Sequence, residues 1–229
     1  MGLITMITDL GLVRLLQLAS PALPIGMYSY SQGLERAVED GWIGNERQAG
    51  EWIAGILERC QARTDLPCLS RLYDAWAAAD IAEIERWSLH LLACRETSEL
   101  RAEDRQSGQA LARVLAGLNV ADAEAWARHP SATLATGFSL AAVSWKIPKF
   151  EAAVGYLWSW LENQVLCAVK LVPLGQAAGQ RLLSALAEQV PGRVKQAFDL
   201  KDDEIGGSAF GLGLASSRHE VQYSRLFRS

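Results

Sequence analysis

FEAAVGYLWSWLENQVLCAVKLVPLGQAAGQRLLSAL, residues 150–186, is the stretch from which the fold class follows. From Phe150 to Val172 it has no proline and a single glycine, Gly155, and apolar residues fall on nearly every helical face. That is the pattern of a helix buried in a protein core. Pro173 cannot continue it. A helix of that length is a rod of roughly 33 Å, about the width of a small domain. Its few polar residues are Ser159, Glu162, Asn163, Gln164 and Lys170. At about 100° per residue, Ser159, Asn163 and Lys170 share one narrow stripe. Lys170 stands in the last turn, where the helix dipole favours a cation by about 0.3–1 kcal/mol. Its methylenes can equally lie on apolar surface with the ammonium in water. Beyond Pro173, Gly175 and Gly179 with Ala178 form a small-residue face suited to close helix packing.

Outward from this stretch the chain is helix after helix. Val13–Ala19 is a short apolar helix stopped by Ser20-Pro21-Ala22-Leu23-Pro24-Ile25-Gly26. Tyr28–Glu39 resumes the helical period and Gly41 is its stop. Asn45 caps a helix through Cys60, Asp65 caps the next with Pro67 in its first turn, and Asp80 opens another through Leu92. Ala93–Leu118 is long and highly charged in its first half. Arg95 with Glu99 and Arg101 with Asp104 have the spacing of surface ion pairs, which a solvated face explains. Ala132–Trp145 adds a further apolar helix. Period-two alternation is absent, so the expectation is a single all-α domain, a bundle of about ten helices spanning residues 11–205. Residues 1–10 resemble a leader or cloning scar. Residues 206–229 form a hinge with four glycines in eight residues, then a tail whose Tyr223, Leu226 and Phe227 make an apolar helical stripe. Aromatic and arginine residues together suit docking, on the chain's own domain or on a partner.

The 229 residues carry 50% apolar and 21% charged residues and a net charge of −4. The apolar content suffices for a core. The mild acidity disfavours nucleic-acid binding, and Glu162, Asn163 and Gln164 interrupt the longest apolar run at its middle, against a membrane span. No secretory signal is legible, and a cytoplasmic chain is expected. Cys60, Cys68, Cys94 and Cys167 form no C-x-x-C pair and suit reduced core positions. His90, His129 and His219 are equally dispersed, so no metal ligands and no cofactor are expected. Gly206 and Gly211 lack the lysine of a phosphate loop, and Gly211-Leu212-Gly213 lacks the third glycine of a dinucleotide site. His219-Glu220 lacks the second histidine of a zinc protease, and Gly206–Phe210 misses a nucleophile elbow at its last residue.

Five blocks carry a family resemblance: LLQLASPALPIG (15–26), SYSQGLE (29–35), LLACRETSELRAEDR (91–105), AVKLVPLGQAAGQRLL (168–183) and ASSRHEVQYSRLFRS (215–229). In this order they resemble the UreF family of urease accessory proteins over nearly the whole chain from about Val13. The resemblance implies a non-enzymatic, all-α chaperone of nickel metallocentre assembly that forms a homodimer. It implies binding to the accessory protein UreD, also called UreH, and recruitment of the GTPase UreG to apo-urease for nickel delivery and lysine carbamylation.

Residue by residue, Gln32, Glu35 and Lys170 match positions expected to face UreG or gate its GTPase. Pairing of Lys170 with a carboxylate such as Glu35 is the internal alternative. The tail from Arg218 to Phe227 matches the segment expected to order on UreD, with Tyr223 and Arg225 as anchors. Docking within the subunit or the homodimer is its alternative. Where family members often have proline and β-branched residues, this chain has Phe210-Gly211-Leu212-Gly213, which should loosen the hinge, and Met27 stands where a smaller residue is common. Two rival readings remain: direct regulation of GTP hydrolysis by UreG, and a helical enzyme using Glu35 and Lys170 as acid and base.

Overall fold

Two largely buried helices set the centre of the computed structural model, which describes residues 6–229. One is α9 (Lys149–Leu171), entered from Pro148 and ended by extended Val172 before Pro173. It buries Ala152, Tyr156, Leu157, Trp160, Leu161, Val165 and Ala168. The other is α8 (Leu134–Ser144), buried continuously from Leu134 to Ala142 and capped reciprocally by Thr133 and Thr136. α8 is wrapped more completely than α9, because its small residues admit neighbours on all sides.

Around these two, α1 (Asp9–Ala19) and α10 (Gln176–Ala187) pack on α9, while α4 (Leu66–Ala77) and α6 (Ser98–Gly117) pack on α8. The close contacts use glycine. A Cβ on Gly155 would stand 2.5 Å from Leu15 Cδ1, and one on Gly179 would stand 2.5 Å from Val169 Cγ2. The remaining helices are α2 (Leu34–Glu39), α3 (Glu46–Ile56), α5 (Ile81–Ala93), α7 (Ala123–Trp126), α11 (Val190–Phe198) and α12 (Phe210–His219). The described residues contain no strand, and no helix among them is long and apolar enough to cross a membrane. The chain is all-α.

Asn45 and Asp80 cap α3 and α5 as expected, accepting from the amides of Gln48 and Glu83. The expected Tyr28–Glu39 helix is confined to α2 (Leu34–Glu39), because a 3-10 turn at Met27–Ser29, extended Tyr30 and left-handed Gln32 and Gly33 come before it. Four further expectations differ. The first helix begins at Asp9, with Thr8 Oγ1 accepting from Gly11 N, so residues 8–10 belong to it; residues 1–5 lie outside the described residues. Asp65 caps nothing, because α3 runs through a π-helical stretch (Leu57–Asp65) straight into α4. The long Ala93–Leu118 pattern is broken at Cys94–Thr97, and α6 starts afresh under a Thr97 cap.

The fourth concerns the glycine-rich hinge. Gly206 donates its amide to Arg63 O, and a Cβ on Gly207 would fall 2.0 Å from Arg59 O. These glycines let the backbone lie against the π-helical stretch, and Phe210–His219 is helical rather than a flexible connection. Gly207→Ala is accordingly expected to lower stability by about 1–3 kcal/mol, measured by urea unfolding.

Candidate partner-docking site

The tail is held by α2 and α6. The chain enters α2 through Gln32 (φ 52°) and Gly33 (φ 74°), a left-handed turn that glycine favours. A Cβ on Gly33 would come within 3.2 Å of Ala215 and of the Ser216 amide, so this turn also admits α12. Gln32 donates Nε2 to Glu103 Oε1 (2.7 Å) and accepts from Trp160 Nε1 (2.8 Å). Glu35, only 8% exposed, accepts from the backbone amides of Leu226 (2.7 Å) and Phe227 (2.8 Å). Ser31 donates from both its amide and its hydroxyl to Ser229 O.

From α6, Glu99 faces the same segment. Its Oε2 lies 2.7 Å from Nδ1 of fully buried His219, and its Oε1 accepts from Arg225 (2.6 Å). Arg225 also donates to Gln222 O and Glu220 O. The Glu220 carboxylate accepts from the Ser98 hydroxyl and from the amides of Ser98 and Glu99, at the start of α6. The Ser98 bond holds its pKa below the usual carboxylate value, and the helix dipole acts in the same direction. Arg218 pairs with Asp40 (2.9 Å) and lies over the Trp42 ring. Phe227 is seated in the core, 4% exposed.

The expected site residues therefore divide in two. Glu35, Arg225 and Phe227 hold the tail to its own domain. Gln32 is spent on Glu103 and Trp160 and touches the tail only through Glu103, which accepts from the Ser229 hydroxyl, and Arg218 ties α12 to the end of α2. Tyr223, whose hydrogen-bond partners are none among the described residues, stands fully in solvent, with Val221 and Leu226 also exposed. Lys170 is exposed, with Nζ 5.7 Å from the centre of the Phe227 ring, and makes no ion pair with Glu35. Asn163, on the same stripe of α9, donates to Tyr30 O. Lys170→Ala should therefore change unfolding free energy by less than about 1 kcal/mol, measured by thermal or urea denaturation.

The contact between His219 and Glu99 has no signature in the sequence. They meet across 120 positions of chain, and no local spacing announces the contact. Among the described residues no group of three His, Cys, Asp or Glu side chains could hold a metal ion. The cysteines are unpaired, and burial pushes the Cys60 and Cys167 thiols up to about 12, which disfavours the nucleophilic thiolate.

Around Arg95 lies a cavity of about 40 Å³ of mixed lining, which includes Gln61, Asp65, Arg95, Glu103, Asp104 and Tyr156. Arg95 donates to Asp65 (2.6 and 3.0 Å) and to Asp104 (2.8 and 2.9 Å). Burial disfavours its charge, but the two carboxylates outweigh that and raise its pKa well above the ordinary value. Glu103, which accepts from Gln32 and the Ser229 hydroxyl, is raised from 4.5 to about 7, chiefly by burial.

Because its folded value lies above its unfolded one, the folded chain binds more protons between those two values. Glu103 therefore lowers stability progressively as pH rises from about 4.5 to about 7. The effect is of order 3 kcal/mol and is level above that window. Glu103→Gln should flatten this part of the stability profile measured by urea unfolding across pH.

A protein-family model described as UreF matches residues 43–187. Over 216 residues the chain is 53% identical to the urease accessory protein UreF of Alkalilimnicola ehrlichii, covering 94% of this chain and 95% of that one. It is 52% identical to that of an Azoarcus species, covering 96% of each chain. The corresponding protein of Pseudomonas putida strain W619 is 50% identical, over 97% of this chain and 99% of the relative. With identity at this level over nearly the full length of each relative, the chain belongs to the UreF family of urease accessory proteins, a family of accessory factors rather than enzymes.

Proposed function

We propose that this chain is a nickel metallocentre assembly chaperone, acting in the cytoplasm as a homodimer. It binds UreD/UreH through the C-terminal segment and recruits UreG to apo-urease, supporting GTP-dependent nickel insertion and lysine carbamylation. The observation that carries the reading is the near-full-length identity to proteins named urease accessory protein UreF. The tail adds local support, since it keeps Tyr223 and Leu226 exposed while its backbone is fixed. Exposed Leu12, Val13 and Leu16 on α1 supply further apolar surface for subunit contacts.

The test is co-expression of apo-urease with UreD/UreH and UreG, with and without this chain, followed by nickel analysis and urease assay. Nickel content and activity should rise only when the chain is present, and equal values in both arms would refute the reading. A second reading, direct regulation of GTP hydrolysis by UreG, draws support from the exposed Lys170 ammonium. Timed phosphate release by UreG, with and without the chain and UreD/UreH, tests it. An unchanged rate in the full complex refutes it.

A further inference from the structure

The C-terminal segment is fixed from one side and bare on the other. Successive amides, those of Leu226 and Phe227, both donate to the single carboxylate of Glu35. Their side chains part there: Leu226 is 67% exposed and Phe227 is 4% exposed. A slip of one residue would exchange those two side chains, driving Leu226 inward and Phe227 into water. Glu35 Oε2 also lies 3.4 Å from Nε2 of buried His219, whose other ring nitrogen meets Glu99. Further along, Arg228 donates its amide to Ser29 O, and Ser31 holds Ser229 O. Among the described residues, Glu35 is the one buried side chain that takes two successive tail amides, whereas Ser29 and Ser31 each engage a single tail group. Leaving buried amides unpaired is costly.

We propose that Glu35 is a positioning residue for partner docking. It does not touch the partner; it fixes residues 221–229 on α2 so that Tyr223 and Leu226 are presented outward with Phe227 as the inward pin. This rests on the proposal above that the tail docks on UreD/UreH. Such preorganisation raises affinity by removing the need to select one tail conformation from many.

The test compares the full-length chain with Glu35→Ala, Glu35→Gln and a Tyr223→Ala/Leu226→Ala double variant. Amide exchange is read residue by residue, alongside capture by purified UreD/UreH. In Glu35→Ala the amides of Leu226 and Phe227 should exchange about a hundredfold faster, with α8 and α9 unchanged, and capture should weaken at least about tenfold. Glu35→Gln keeps the volume and one carbonyl acceptor, so it should fall between wild type and Glu35→Ala in both readouts. It also serves should the alanine variant fail to fold.

The double variant should keep both amides protected while losing capture. Weakened capture in the Glu35 variants with the amides still protected would make Glu35 a direct contact and overturn the proposal. Faster exchange with capture intact would overturn it as well. Capture retained by the double variant would instead overturn the outward role of Tyr223 and Leu226, and with it the tail-docking reading.

Discussion

Arg95→Met is expected to lower the unfolding free energy by about 3–5 kcal/mol, because it leaves two carboxylates buried without their cation. The side chains of Asp65 and Asp104 are 2% and 5% exposed, and Arg95 bridges them with four hydrogen bonds. Asp104 has a second task, accepting from the Leu134 amide at the start of α8. The phenolic hydroxyl of Tyr156 on α9 reaches Asp65 (3.4 Å). Five pieces of chain therefore meet around one guanidinium: the π-helical stretch, the α5–α6 link, α6, and, through the two carboxylates, α8 and α9. Methionine matches the stem of arginine but none of its donors. Adding Asp65→Asn should recover part of the loss by removing one uncompensated charge, which a double-mutant cycle in urea measures. A loss below about 1 kcal/mol for Arg95→Met would contradict the account of the cluster.

Gly108→Ala is the second large effect. A Cβ at this position would stand 2.4 Å from the carbonyl carbon of Thr133, 2.5 Å from its oxygen and 2.7 Å from its Cα. All three are backbone atoms, and Thr133 is the cap of α8, so neither side can yield by turning a side chain. The two helices must separate, at a cost of about 3 kcal/mol, or roughly 10 °C in Tm for a chain of this size. Gly55, inside α3, is the control, since a Cβ there meets nothing within 4 Å. Gly55→Ala should stabilise by about 0.5–1 kcal/mol through helix propensity alone. Equal effects at the two glycines would show that close approach is not what Gly108 provides.

The all-α class was legible because it rests on local period and punctuation. Pro173 ends α9 where the sequence says it must, and Asn45 and Asp80 cap their helices with their own side chains. The charged opening of α6 departs from the surface pairing its spacing suggests, for a physical reason. Arg95, Glu99, Arg101 and Asp104 have the spacing of surface pairs, and spacing is all that a sequence displays. In the structure Arg95 lies before the helix and binds Asp65 and Asp104, Arg101 donates to Arg95 O, and Glu99 binds His219 and Arg225. Each carboxylate found a partner far away in sequence, a choice made by tertiary packing.

The tail shows the same division. Its apolar and arginine content marked a segment that docks, but not which residues are anchors. The i, i+3, i+4 stripe of Tyr223, Leu226 and Phe227 splits, because α12 ends at His219 and the last residues are not helical. Phe227 goes inward and the other two remain out. The glycines before it read as looseness when counted, yet Gly207 is required by contact with Arg59 O.

The most direct test of the central claim is the mass of complexes formed by the full chain, and by a chain ending at Glu220, with purified UreD/UreH and UreG. Ending at Glu220 preserves α12 and buried His219, so circular dichroism should report the same helical fold for both. The full chain should assemble with UreD/UreH and UreG, and the shortened one should lose UreD/UreH while staying folded. Stoichiometric assembly by the shortened chain, or none by the intact one, would contradict the docking role assigned to the tail.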